Sequence, residues 1–280
     1  MKGKKRAVGV AALLLAACLA LIFLTGGGGG QEESIQAVMR DAVLHEENHV
    51  ALLGMEVNPS VASGLTVTGL LLLVAALIRI FAIPRFRYVP GRFQLVVEEL
   101  VSFFRNLAKS NSPHRNGFLG AYIFGAGVYI FFGTLFELFG VQAMTTHGTS
   151  IALPAPLSDI NAAIAMGFLS YFVILSGGLT SNGLRGVGKT LKDFSLPISM
   201  SFRLFGALLS GLLVTELVYY SLALSFVLPV IVAVLFTLLH ALIQTYVLTM
   251  LTSVFYGEVT EPHAPKPPKN ANKAAHAAAK

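Results

Sequence analysis

The sequence predicts an all-α polytopic membrane protein with five transmembrane helices and one surface helix. Three observations carry that expectation. Several apolar runs reach the roughly 20 residues that a helix needs to cross a bilayer. Charged residues make up only 12% of the 280-residue chain, far below the roughly 25% usual for soluble domains. The lysines and arginines gather in the intervals between the apolar runs. The formal net charge of +6 is therefore no nucleic-acid footprint: the surroundings are membrane lipid, and no nucleic-acid partner is expected. A single cysteine, Cys18, excludes an internal disulfide.

The first 30 residues read as a signal peptide or an N-terminal anchor with a glycine linker. Lys2, Lys4, Lys5 and Arg6 form a basic start, 7–24 is apolar, and 26–30 is a glycine run. Leu15-Ala16-Ala17-Cys18 resembles a lipoprotein cleavage box, but the apolar run continues past the cysteine, which argues against lipidation. Residues 31–60 form an external N-terminal segment, 61–257 the membrane domain, and 258–280 a disordered cytoplasmic tail rich in Ala, Lys and Pro.

Within the membrane domain the first span covers 61–83 and ends at Pro84 and the cluster Arg85, Arg87, Arg92. Residues 92–109 alternate charges with Phe and Val at helical spacing, as a helix lying at the membrane surface does. The second span, 118–139, is rich in glycine and aromatics. The third, 159–179, follows a loop holding Pro154 and Pro156. A basic turn with Arg185, Lys189 and Lys192 precedes the fourth, 194–224. Pro229 marks the reversal into the fifth, which ends near Tyr256. The loop 84–115, the turn 181–193 and the tail 262–280 are basic and belong in the cytoplasm. Segment 31–60 is acidic apart from Arg40 and fits the outside, as does the uncharged loop 140–158. No tandem repeat is evident, which counts against an inverted-repeat transporter.

Polar residues inside the spans narrow the function. Arg203 lies in the run Ser201-Phe202-Arg203-Leu204-Phe205-Gly206. A guanidinium at membrane depth costs from about 3 kcal/mol on insertion scales to above 10 in simulations, and it cannot escape by deprotonation. Ala207 and Ser210 share its helix face within about 40°, and Gly206 lies slightly further round. Small residues there let another helix approach closely, so a carboxylate on a partner could meet the arginine. Glu216 points roughly the opposite way, about 20 Å further along a straight helix, too far for a simple pair.

In the fifth span Thr237, His240 and Gln244 recur at spacings of three and four, with Thr245, Thr249 and Thr252 as a second polar stripe. The threonines can bond back to their own carbonyls. His240 and Gln244 either line a water-accessible path or make packing bonds between helices. Asp159 and Asn161, opening the third span, either cap that helix or stand at an aqueous entrance. Glu137 reads as interfacial, and Glu98 and Glu99 as a solvated helix face. His45, His49 and His147 lack the ligand spacing of a metal site, and no metal or other cofactor is expected. Gly183 to Thr190 holds a Lys-Thr pair near glycines, but its spacing is wrong for a phosphate loop, and no catalytic residue is expected.

Ser201-Phe202-Arg203-Leu204-Phe205-Gly206, the run Gln244-Thr245-Tyr246-Val247, and Ser158-Asp159-Ile160-Asn161 resemble the subunit a family of F-type ATP synthases. Phe93-Gln94 followed by Glu98, and the closing Tyr256-Gly257-Glu258, resemble that family too. The resemblance covers roughly 60 to 260, with the motifs in the family's order. It implies that 61–257 is a channel domain with two offset ion half-channels, whose last two long helices form a hairpin against a rotating c-subunit ring. Arg203 would face the ring's carboxylates, with Gly206, Ala207 and Ser210 at the close approach. Glu216, His240, Gln244, Asp159 and Asn161 would lie along the ion path, coupling proton translocation to ATP synthesis. The implied partners are the c ring, b-type peripheral stalk subunits and, indirectly, the catalytic sector. The implied location is the bacterial inner membrane.

Two departures stand out. Ala207 replaces the family's common Asn four residues after the arginine, and Leu212 stands where many members carry an acid. Glu216, four residues beyond Leu212 on nearly the same face, is the expected substitute. These departures leave room for sodium in place of protons. The rival from another class is a stand-alone permease in which Arg203 binds an anionic solute; a scaffolding protein in which Arg203 pairs with a partner helix is the third.

Overall fold

The computed structural model describes residues 49–52, 55–146, 150–220 and 228–262. Asn58 caps α1 (Pro59–Leu77) by accepting from the Ser60 N–H at 2.9 Å, and Pro59 enters at the first turn, where its missing donor costs nothing. The helix runs on through a π turn (Ile78–Ala82) and a 3-10 turn (Ile83–Arg85), where Pro84 ends it. Only its N-terminal part is packed, through Ala62, Ser63 and Val67; Leu70, Leu72, Leu73 and Ile80 are bare.

The surface helix α2 (Arg92–Asn111) follows, with Phe104 and Ala108 buried and most of the remainder exposed. Next come α3 (Gly117–Phe136), α4 (Ile160–Lys192), α5 (Ser195–Tyr220) and α6 (Leu228–Thr260). α3 packs on α6, and α4 packs on both α5 and α6. Their shared core holds Leu119, Ile123 and Ile130 of α3, Ile174 of α4, Met200 and Leu204 of α5, and Leu248 of α6. Among the described residues, four stretches are long and apolar enough to cross a membrane: Pro59–Arg85, Gly117–Phe139, Ile160–Lys192 and Val234–Thr260. The predicted fourth span corresponds to α5, a further 26-residue helix of the bundle. The last residues of that predicted span, 221–224, lie outside the described residues, and Pro229, the predicted reversal, falls in the first turn of α6.

α4 is not one straight rod. At Gly183 the backbone takes φ +59°, a conformation open to glycine, and the chain doubles back. A straight helix would hold Tyr171 and Thr190 about 28 Å apart. Instead the Tyr171 hydroxyl donates to the Thr190 carbonyl at 3.1 Å. A Cβ on Gly178 would sit 3.1 Å from the Gly186 carbonyl, so the two arms touch backbone to backbone. The predicted basic turn is thus a short antiparallel helix. It closes the end of α6: Asn182 donates to the carbonyls of Val259 and Glu261, and Lys189 donates to that of Glu258. α6 accordingly continues to Thr260, into the stretch that the sequence reading assigned to the tail.

The sequence reading assigned no strands, and here the structure differs. β1 (Val50–Leu52) pairs antiparallel with β2 (Met55–Val57), and β3 (Gln142–Met144) with β4 (Ser150–Ala152). A bridge between Val50 and Thr145 joins the two hairpins, and the Thr146 N–H donates to the His49 carbonyl. Each strand is three residues long, too short to show an alternating pattern.

Candidate functional site

Two faces of α5 have opposite surroundings. Met200 (1% exposed), Ser201, Leu204 (1%) and Leu208 (5%) pack inward. Gly167 of α4 makes this contact possible, because a Cβ there would lie 2.8 Å from the Pro197 carbonyl. Ser201 turns its hydroxyl back to the same carbonyl at 2.7 Å. On the other side Phe202, Arg203, Gly206 and Ser210 are exposed, at the spacings that put them along one side of a helix. A Cβ on Gly206 would meet nothing within 4 Å. Arg203 has no hydrogen bond or ion pair among the described residues. Ala207, predicted on the same face, is half-buried at its border.

α6 supplies the neighbouring polar groups. His240 is half-buried between Phe236, whose ring centroid is 5.8 Å away, and Gly211 of α5. A Cβ on Gly211 would stand 3.3 Å from His240 Nδ1, so the glycine lets the imidazole lie against α5. Gln244 is 5% exposed and its Oε1 has no partner among the described residues. A buried amide oxygen left so calls for a water or a visiting donor. Thr237 is also buried, so the predicted stripe divides: Thr237 and Gln244 face the bundle, and His240 faces its edge. Thr249 bonds back to the Thr245 carbonyl at 2.7 Å, the structural reading of that threonine.

Asp159 caps the N-terminus of α4. Its Oδ1 accepts from the N–H groups of Asn161 (2.8 Å) and Ala162 (3.1 Å). Its Oδ2 accepts from Asn58 Nδ2 at 3.0 Å, so one side chain ties the cap of α1 to the cap of α4. Sequence reasoning missed Asn58; its signal was an N-cap residue directly before Pro59. Asn161 is exposed. Glu216 falls near the C-terminal end of α5, but its side chain, like His45 and His147, lies outside the described residues. Among the described residues, no three His, Cys, Asp or Glu side chains gather as metal ligands do.

A family model described as ATP synthase A chain matches residues 64–257. The chain belongs to this family. The match runs from the N-terminal part of α1 through α2 to α6 and includes both faces of α5. Among the relatives are the ATP synthase subunits a of two strains of Cereibacter sphaeroides, ATCC 17025 / ATH 2.4.3 and ATCC 17029 / ATH 2.4.9. Each is 27% identical over 195 residues, covering 65% of this chain and 75% of the relative. Family membership supports a general role in the ion-conducting membrane sector, in association with other ATP synthase subunits.

Proposed function

We propose that this chain is the stator of a proton-driven rotary motor, with Arg203 facing the carboxylates of a rotating c ring. The observation that carries the reading is the open face of α5: an exposed arginine, without a partner among the described residues, beside Gly206 and Ser210, where another helix can come close. A guanidinium at that place favours the ionised form of each arriving carboxylate and so promotes release of its proton. The same charge repels a cation crossing directly between two half-channels. Moving one charge through 100 mV releases about 2.3 kcal/mol, which drives rotation only if that leak is closed.

His240 and Gln244 line the ion path beside α5, and Glu216 supplies the acid of the outer half-channel. Asp159 and Asn161 stand at its outer mouth. The basic loops 84–115 and 181–193 face the cytoplasm of a bacterial inner membrane. The c ring and b-type stalk subunits are the direct partners, and the catalytic sector is reached through them.

The test uses the assembled complex in sealed vesicles. Arg203→Ala is expected to leave assembly intact, to cut ATP-driven proton pumping at least about 100-fold and to open a passive proton leak. Retained pumping would overturn the reading, and loss of assembly alone would favour a scaffolding role. Glu216→Gln is expected to lower ion-driven ATP synthesis about tenfold or more; unchanged synthesis removes the relay assignment.

A further inference from the structure

The motif Phe93-Gln94 with Glu98 has no part in the ion path, yet Gln94 is built into a definite structure. Its Oε1 accepts from the Arg87 N–H at 3.0 Å, and its Nε2 donates to the Arg87 carbonyl at 2.8 Å. The side-chain amide thus holds the Arg87 peptide on both sides, as a paired strand would. Its Nε2 also lies 2.7 Å from Glu98 Oε1, which anchors the clamp on the next turn of α2.

The clamped loop carries Arg85, Arg87 and Arg92, all exposed, and none has an ion pair among the described residues. Residues 79–92 contain four arginines and no acid. Between the arginines Tyr88 is fully exposed and Val89 is 84% exposed. The loop follows directly on the bare apolar end of α1 and precedes the amphipathic α2, whose Phe93 is exposed as well.

We propose that this loop is a binding site for the headgroups of anionic phospholipids, with Gln94 as the residue that positions it. Cations clustered just beyond a transmembrane helix attract anionic lipid, and each adds to the attraction. The guanidinium fork matches a phosphate with two parallel hydrogen bonds. The exposed Tyr88, Val89 and Phe93 select a lipid over free phosphate, because they need an acyl boundary to enter. The site rests on the membrane orientation proposed above, but its test does not depend on ion coupling.

The experiment places the assembled complex in phosphatidylcholine vesicles containing about one-fifth phosphatidylglycerol. Spin-labelled lipids of each class report which is immobilised at the protein. The native complex is expected to prefer the anionic label about twofold or more, with the preference falling as salt rises. Replacing Arg85, Arg87 and Arg92 together by Gln should abolish the preference, and replacing them by Lys should keep most of it. Gln94→Leu, which leaves every charge in place, should lower it; if the triple Gln variant fails to assemble, this variant decides the matter. Equal preference in native and variant complexes, or none in the native one, overturns the proposal. So does loss of a stalk subunit from the triple variant with lipid preference unchanged, which assigns the arginines to a protein contact. Retained pumping by Arg203→Ala, with the native lipid preference intact, would count against the ion-path reading alone.

Discussion

One face of α5 is locked against α4 and α6 while the other is bare, and polar groups on the two faces are treated in opposite ways. On the closed face Ser201 turns its hydroxyl back to Pro197 and vanishes into the packing. On the open face Arg203 has no partner among the described residues, although its charge is far costlier to leave alone in lipid. The glycines follow the same division. Gly167 of α4 is a glycine because nothing larger fits against α5, whereas Gly206 has empty space where a side chain would be. Small residues can therefore mark a finished contact or one still to be made. Only the neighbours reveal which.

That contrast gives the largest expected effect. Gly167→Val should keep the subunit from accumulating in the membrane, because its Cβ would meet Ser201 and backbone of α5 that cannot move aside. Gly206→Val should leave the amount of subunit unchanged yet cut coupled pumping about tenfold, at a place where the isolated chain has room. Immunoblots of membranes and pumping assays on the same preparations measure both. If Gly206→Val pumps normally, nothing approaches the open face, and the comparison between the two faces loses its functional meaning.

The helices and the open, small-residue face around Arg203 were readable in the sequence because both depend on composition over a stretch: apolar length, basic loops, and one cation among small neighbours. Features that depend on a distant partner were not. Asn58 and Asp159 are 101 positions apart, and nothing local signals that one holds the other. The split between Thr237, Gln244 and His240 depends on which sides of α6 meet α3, α4 and α5. Spacing alone put all three on one face. Gly183 was visible as part of a basic turn, but the antiparallel contact of Gly178 with Gly186 needs the positive φ as well.

Asp159 is the next test, since it belongs to the satisfied class by geometry and to the ion path by proposal. Asp159→Ala removes two cap bonds and the link to Asn58, and should cost about 1–2 kcal/mol. A lower midpoint in thermal unfolding of the assembled complex would register it. Asp159→Asn keeps an acceptor for the cap and should retain most of that stability. Pumping by this second variant then isolates the charge: a drop at unchanged midpoint assigns the carboxylate to the outer mouth, and normal pumping assigns it to the cap alone.

The smallest effect is expected at Lys189, the satisfied counterpart of Arg203. Its Nζ is 3.2 Å from Glu258 Oε1 and also donates to the Glu258 carbonyl, so its charge is fully employed within the chain. Both side chains of the pair are nearly half exposed, where water and salt screen the attraction. Lys189→Met should therefore cost only about 0.5 kcal/mol, shrinking as ionic strength rises, with pumping unaffected. A large loss of pumping would mean that the α4 reversal does more than close the end of α6. A cation already paired in its own chain has little left to offer a carboxylate of another subunit, whereas Arg203, without a partner among the described residues, keeps its full charge for the ring proposed above.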